Sequence, residues 1–277
     1  MKLRARKNAH NSIIYVLLIA IGIAFLLPVL WMVLASFDRV AGLSIQLPRR
    51  WTIDNFVAIL QKGDMLKGFG NSLIIAGAVT IIVDVIAIMA AYPLSRFEMK
   101  WGNKITFVLL FLTALPASTM MISTYKLLVN LHLIDSLLGV ILLISAGAVP
   151  YAIWMTKNFM DNVTVDLEEA AWIDGASRLQ TTVHVLIPLM MPGFITVTAY
   201  NFIIAWGNFY TPFIILTSSE KFPASVNIYR LYGINGEVIY GQVAAYSILY
   251  IIPVFVLYYL SQDHMSKGFG MSGAAKG

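Results

Sequence analysis

Residues 13–37 read IIYVLLIAIGIAFLLPVLWMVLASF, without one Asp, Glu, Lys or Arg. A helix rises 1.5 Å per residue, so about 20 such residues cross a hydrocarbon core roughly 30 Å thick. Lipid offers no water to peptide groups, so a spanning segment must bond internally as a helix or close into a barrel. This run is too long for a barrel strand and does not alternate. The pattern returns at 105–125, 136–156 and 238–262, and at 71–95, where Asp84 is the single interruption. Residues 185–219 are long enough for one helix plus an interfacial segment. The sequence predicts an all-α membrane protein, a bundle of six transmembrane helices.

Composition supports that medium. Of the 277 residues, 59% are apolar and 12% charged, whereas a soluble domain carries about a quarter charged. Mean hydropathy is +0.78. There is no cysteine, which excludes disulfides and thiolate metal sites. His10, His132, His184 and His264 lie far apart and form no metal motif. Lys2, Arg4, Arg6 and Lys7 precede the first apolar run. That run is too long for a signal peptide and lacks a small-residue cleavage site, so a retained first helix with a cytoplasmic amino end is expected. Six spans then return the carboxyl end to the cytoplasm. Segments 92–104, 157–187 and the tail face inward, while 38–70, 126–135 and 220–237 face outward. Lys and Arg favour the inner side as the positive-inside rule requires, although Arg39, Arg49, Arg50, Lys62 and Lys67 dilute the bias. Pro28, Pro93, Pro116, Pro150, Pro192, Pro212 and Pro253 sit in or beside the spans. Each removes an amide donor and favours a kink.

The longest inner segment carries the most information. Residues 155–193 read MTKNFMDNVTVDLEEAAWIDGASRLQTTVHVLIPLMMPG, with Asp161, Asp166, Glu168, Glu169 and Asp174 concentrated in it. A short helix from Asp166 to Ile173 is expected, with Asp166 as its cap and Glu169 three residues on. Asp174-Gly175 is a turn signal, and a second helix should run from Ala176 into Pro188. Such a segment reads either as an amphipathic connector or as a docking surface that its alanines open to close approach.

Glu169-Ala170-Ala171, Asp174-Gly175-Ala176, Ile187-Pro188 and Pro192, in that order between the fourth and fifth spans, resemble the EAA loop of binding-protein-dependent ABC importer permeases. Asn71-Ser72-Leu73 and Ala91-Tyr92-Pro93-Leu94-Ser95-Arg96-Phe97 resemble the carbohydrate-uptake branch. The glycine-rich tail from Lys267 to Gly277 is similar to that of its shorter, MalG-like subunits. The resemblance implies the type I ABC importer permease fold, with 1–70 as a leading helix and outer loop. The permease domain would then cover 71–262, with its coupling loop at about 157–187, and a cytoplasmic tail would occupy 263–277. It implies that Glu168, Glu169, Ala170, Ala171, Asp174, Gly175 and Ala176 meet the ATPase. Two ATPase subunits, which bind ATP and Mg, a second MalF-like permease and an extracytoplasmic solute-binding protein would be partners. The setting would be lipid of a bacterial cytoplasmic (inner) membrane, with no nucleic acid involved.

Two further groups are candidates for a solute path. Asp84 is an acidic residue inside a span and therefore a functional candidate, or else a carboxylate paired with a hydroxyl such as that of Thr80. Trp206, Asn208, Phe209 and Tyr210 offer stacking faces and an amide for a sugar, or else belong to an interfacial aromatic belt. Ala205-Trp206-Gly207-Asn208-Phe209 is similar to the branch's Trp-Asn-Glu-Phe stretch but lacks its glutamate and carries an extra Gly207. Arg96 and Lys100 are expected to snorkel to headgroups. Neither a phosphate-binding glycine loop nor a nucleophile with its base is present, so the chain is not expected to be an enzyme. The expected function is import of a sugar, an oligosaccharide above all. The alternatives are an ABC permease for another solute and an ion-coupled secondary transporter, which would want more intramembrane charges.

Overall fold

The computed structural model describes residues 2–232 and 238–274. Side chains of the basic cluster at Lys2, Arg4, Arg6 and Lys7 and of the tail from 263 onward lie outside the described residues, as do residues 275–277. In chain order the helices are α1 Lys2–Ser36, α2 Asp54–Gln61, α3 Gly63–Arg96, α4 Gly102–Thr113, α5 Ala117–Asn130 and α6 Leu137–Asp161. There follow α7 Asp166–Ile173, α8 Arg178–Thr181, a π turn Thr182–Leu186, α9 Ile187–Leu189 and α10 Met191–Trp206. After α11 Tyr210–Ile215 come a 3₁₀ turn Ser219–Lys221, α12 Ala224–Arg230 and α13 Tyr240–Ala274. Among the described residues there is no strand, only an isolated antiparallel bridge between Asp38 and Trp51.

Ile14–Ser36, Gly63–Arg96, Leu137–Asp161 and Tyr240–Gln262 are each long and apolar enough to cross a bilayer. The other two expected spans are broken. Gly102–Thr113 meets Ser118–Asn130 at 92°, and Arg178–Leu189 meets Met191–Ile215 at 84°. Pro116 marks the first break, since it has no amide for a continuing helix. Pro188 and Pro192 flank the second, at Met190. By contrast, Pro28, Pro93, Pro150 and Pro253 are accommodated inside continuous helices.

The chain forms two compact units, Met1–Leu66 with Asn227–Ile251, and Lys67–Val226 with Ile252–Gly277. In the first, the buried Asn55 amide donates to the carbonyls of Ser36 and Asp38, both at 3.0 Å. Gly241 lies so close to that amide that any Cβ there would collide with it. The Asp38 carboxylate accepts from the amides of Val40 and Arg50. Tyr246 is fully buried.

In the second unit α6 packs against α4 and α10. The reason is legible along α3. Ile75, Ala76, Val79, Thr80, Val83, Asp84, Ala87 and Ala91 are buried, and their spacing of three and four places them on one helical face. Ile74, Ile81, Val85 and Met89 are exposed. In lipid the apolar residues gain nothing by turning inward, so small and polar ones (Ala76, Thr80, Asp84, Ala87 and Ala91) make up most of the packed face.

Candidate functional site: the 157–192 loop

Helix α7 forms where the sequence predicts it, but its cap differs. Val165 is the N-cap, with no side-chain cap, and Asp166 is the first helical residue. Asp166, Glu168 and Glu169 thus occupy the first turn, where carboxylates complement the helix dipole. The amides of Gly175 and Ala176 donate to the carbonyls of Trp172 and Ala171. This paired closure needs a left-handed residue after the helix, and Gly175 supplies it at φ +90°. The second helix starts two residues later than expected. Ser177 and Gln180 form a reciprocal capping box ahead of Arg178, which satisfies two amides that would otherwise be orphaned.

The eight residues of α7 have two distinct faces. Asp166, Glu169, Ala170 and Ile173 are exposed and follow the i, i+3, i+4, i+7 pattern. Ile173 is 87% exposed, and Asp174 and Gly175 continue the surface. Glu168, expected among the docking residues, points the other way and is 0% exposed. Ala171 and Ala176 are half-buried. The exposed face is therefore acidic and apolar, with one alanine at its middle.

Glu168 is held by the last turns of α3. Its carboxylate accepts from Arg96 Nε at 2.5 Å and from the Tyr92 hydroxyl at 3.3 Å. Arg96 Nη1 donates to the Ser95 hydroxyl and Nη2 to the Val163 carbonyl, both at 3.1 Å. Ser95 in turn donates to Asp161 at 2.6 Å, and Asp161 also pairs with Lys157. Arg96 therefore does not snorkel: its side chain is 4% exposed. Beneath it Ala91, Met160, Val163, Leu186 and Met190 form an apolar cluster flanked by Tyr92 and Phe159. The Phe159 ring lies over Gly193, where any Cβ would strike it. The Arg178 guanidinium stands over Phe97 and Trp172, 5.1 and 5.5 Å from their ring centres, a cation–π arrangement. So α3, α6, α7 and the turn into α10 meet around one buried ion pair.

The other candidates lie apart from this loop. Asp84 accepts from the Thr198 hydroxyl and the Asn201 amide, both at 2.7 Å, tying α3 to α10. Thr80, its expected partner, instead donates to the Ala76 carbonyl in its own helix. Trp206 is buried and stacks with Phe202. Asn208 uses its side-chain oxygen to accept from the Thr211 amide, starting α11, and Phe209 stacks with Phe213. Of that quartet Tyr210 alone is exposed.

One charged cluster escaped the sequence reading. Asp135, at φ 53°, accepts from the Thr217 and Ser218 amides, the Ser218 hydroxyl and Lys221 Nζ. The Lys221 ammonium and then Ser218 hold its carboxyl well below the usual carboxylate range. Asn71 donates to the carbonyls of Glu220 and Phe222 in the same segment. Ser72 Oγ accepts from the Ala224 amide.

Residues 84–269 match the family described as binding-protein-dependent transport system inner membrane component. The chain belongs to that family. This permease is 29% identical over 266 residues to the trehalose/maltose transport system permease protein MalG of Thermococcus litoralis, covering 94% of each chain. It is 27% identical over 263 residues to the diacetylchitobiose uptake system permease protein NgcG of Streptomyces coelicolor, covering 92% of this chain and 86% of that one. Its fold matches a bacterial ABC transporter that imports the acidic polysaccharide alginate, with a TM-score of 0.81 at 22% identity, over 93% of this chain and 97% of that one. The permease therefore has the type I ABC importer fold and serves as an inner-membrane transport component.

Proposed function

We propose that this permease is the MalG-like half of a sugar importer, and that the exposed face of α7 is where an ATPase subunit docks. A second, MalF-like permease completes the path, two ATPase subunits hydrolyse ATP, and an extracytoplasmic binding protein delivers an oligosaccharide. Both termini lie in the cytoplasm, on the side of the 157–187 loop. The observation that carries the docking assignment is the split of α7. Glu169, Ala170, Ile173, Asp174 and Gly175 share its open side, while Glu168 is committed to the interior. Carboxylates beside an exposed isoleucine suit a cleft with basic and apolar walls, and the alanine lets it approach closely. The names of the relatives support the sugar assignment. ATP binding would favour one of two states by differential affinity, turning the path outward.

Affinity purification of the tagged permease from its native membranes in mild detergent tests this. Co-purification of an ATPase and a second permease is expected, with the ATPase lost on Glu169→Lys or Ile173→Asp. An ATPase retained undiminished by both variants would overturn the docking face. Recovery of the chain alone would overturn the importer reading.

A further inference from the structure

Glu168 and Arg96 present a puzzle of economy. Both are nearly or fully sealed from solvent, and a buried ion pair is often no more stabilising than apolar residues of similar size. What an apolar pair lacks is direction. The guanidinium is a rigid planar fork, and here its three nitrogens meet three different acceptors: Glu168 of α7, Ser95 of α3 and the Val163 carbonyl just before α7. With Tyr92 on the second carboxylate oxygen, both α7 and the strand of chain leading into it are fixed against the last two turns of α3. Twelve residues back along α3, roughly 18 Å at 1.5 Å per residue, Asp84 grips Thr198 and Asn201 of α10.

We propose that the Arg96–Glu168 pair is the mechanical link that makes α3 follow α7, so that a displacement imposed on the docking face reaches α10 through Asp84. This rests on α7 being the face the ATPase grips. Arg96 and Glu168 are positioning residues that act through α3 and α7. A planar fork bonded to three acceptors holds its geometry when one helix is displaced, whereas an apolar contact can slide.

The test uses the assembled complex, with this permease, its partner permease and the ATPases, in lipid nanodiscs. The chain has no cysteine, so Val165→Cys and Met89→Cys, both at exposed positions, place one spin label beside α7 and one on α3. With the pair intact, the distance between labels stays fixed when a non-hydrolysable ATP analogue is added. In the double variant Arg96→Met, Glu168→Met, which leaves no stranded charge, the distance shifts and broadens on nucleotide while thermal stability is retained. Should that variant fail to assemble, Glu168→Gln keeps the shape and is expected to shift and broaden the distance less. A distance that holds in both variants would overturn the link, and so would one that moves on nucleotide with the pair intact. If no ATPase co-purifies with the wild-type chain, the docking assignment fails first and the link fails with it.

Discussion

Two clasps hold the unit formed by Lys67–Val226 with Ile252–Gly277, and both are built from one carboxylate and one cation. At the 157–192 loop, Glu168 meets Arg96 with the two side chains 0% and 4% exposed. At the 216–226 segment, Asp135 meets Lys221 with the two 24% and 38% exposed. The first joins α3 to α7 and to the residues just before it through a planar fork. The second joins one turn to one loop through a flexible ammonium and a set of backbone amides. The difference teaches where solvent can intervene. Water and salt can substitute for the partners of Asp135, but nothing in the interior can replace either member of the inner pair. The inner clasp should therefore behave as a fixed joint and the outer one as an adjustable fastening.

The sharpest way to break the contrast is Glu168→Ala. It strands the Arg96 guanidinium in a sealed site and is expected to cost about 3–5 kcal/mol. The cost should be read as a drop in thermal midpoint in detergent that added salt does not restore. Next is Asp84→Leu, which removes the acceptor of Thr198 and Asn201 and is expected to cost about 1–3 kcal/mol. Its measurement is the same melting experiment, with the effect again insensitive to salt. Gly175→Val places a branched side chain at φ +90°, expected to cost about 1–2 kcal/mol. This one should lower ATPase recovery more than it lowers the melting temperature, because the turn shapes the proposed docking surface. The smallest effect belongs to Asp135→Asn, at about 1 kcal/mol or less, and 1 M salt should erase it. The folded carboxyl of Asp135 titrates well below its unfolded value near 4. Its contribution is therefore complete above about pH 4 and is lost only as pH falls further through the folded value. Stability between pH 8 and pH 5 should not change through this group.

Much of this was readable from the chain, and the failures have physical causes. The bounds of α7, its glycine turn and its place between spans follow from local signals, namely helix-forming residues, an Asp-Gly pair and the flanking apolar runs. The direction of Glu168 does not, because its partner lies 72 residues earlier, and two adjacent glutamates look alike to any local rule. A basic residue closing a span beside an acidic loop is the one clue that Arg96 offered. Thr80 was a reasonable partner for Asp84 on one helix, but its hydroxyl is taken by a carbonyl one turn back. The donors that reach Asp84 come from a helix more than a hundred residues away. Apolar runs announce spans by length and charge alone. A run interrupted by Pro116 therefore scores like one containing Pro150, although one breaks at 92° and the other continues.

The most direct measurement exploits the absence of cysteine. Ile173→Cys places a single thiol at an 87% exposed position of α7, and its rate of labelling by a membrane-impermeant maleimide can be followed in inside-out vesicles. Rapid labelling is predicted for the permease expressed alone, with strong protection once the ATPase subunits are co-expressed. Equal labelling in both preparations would contradict the claim that this face of α7 is the docking site.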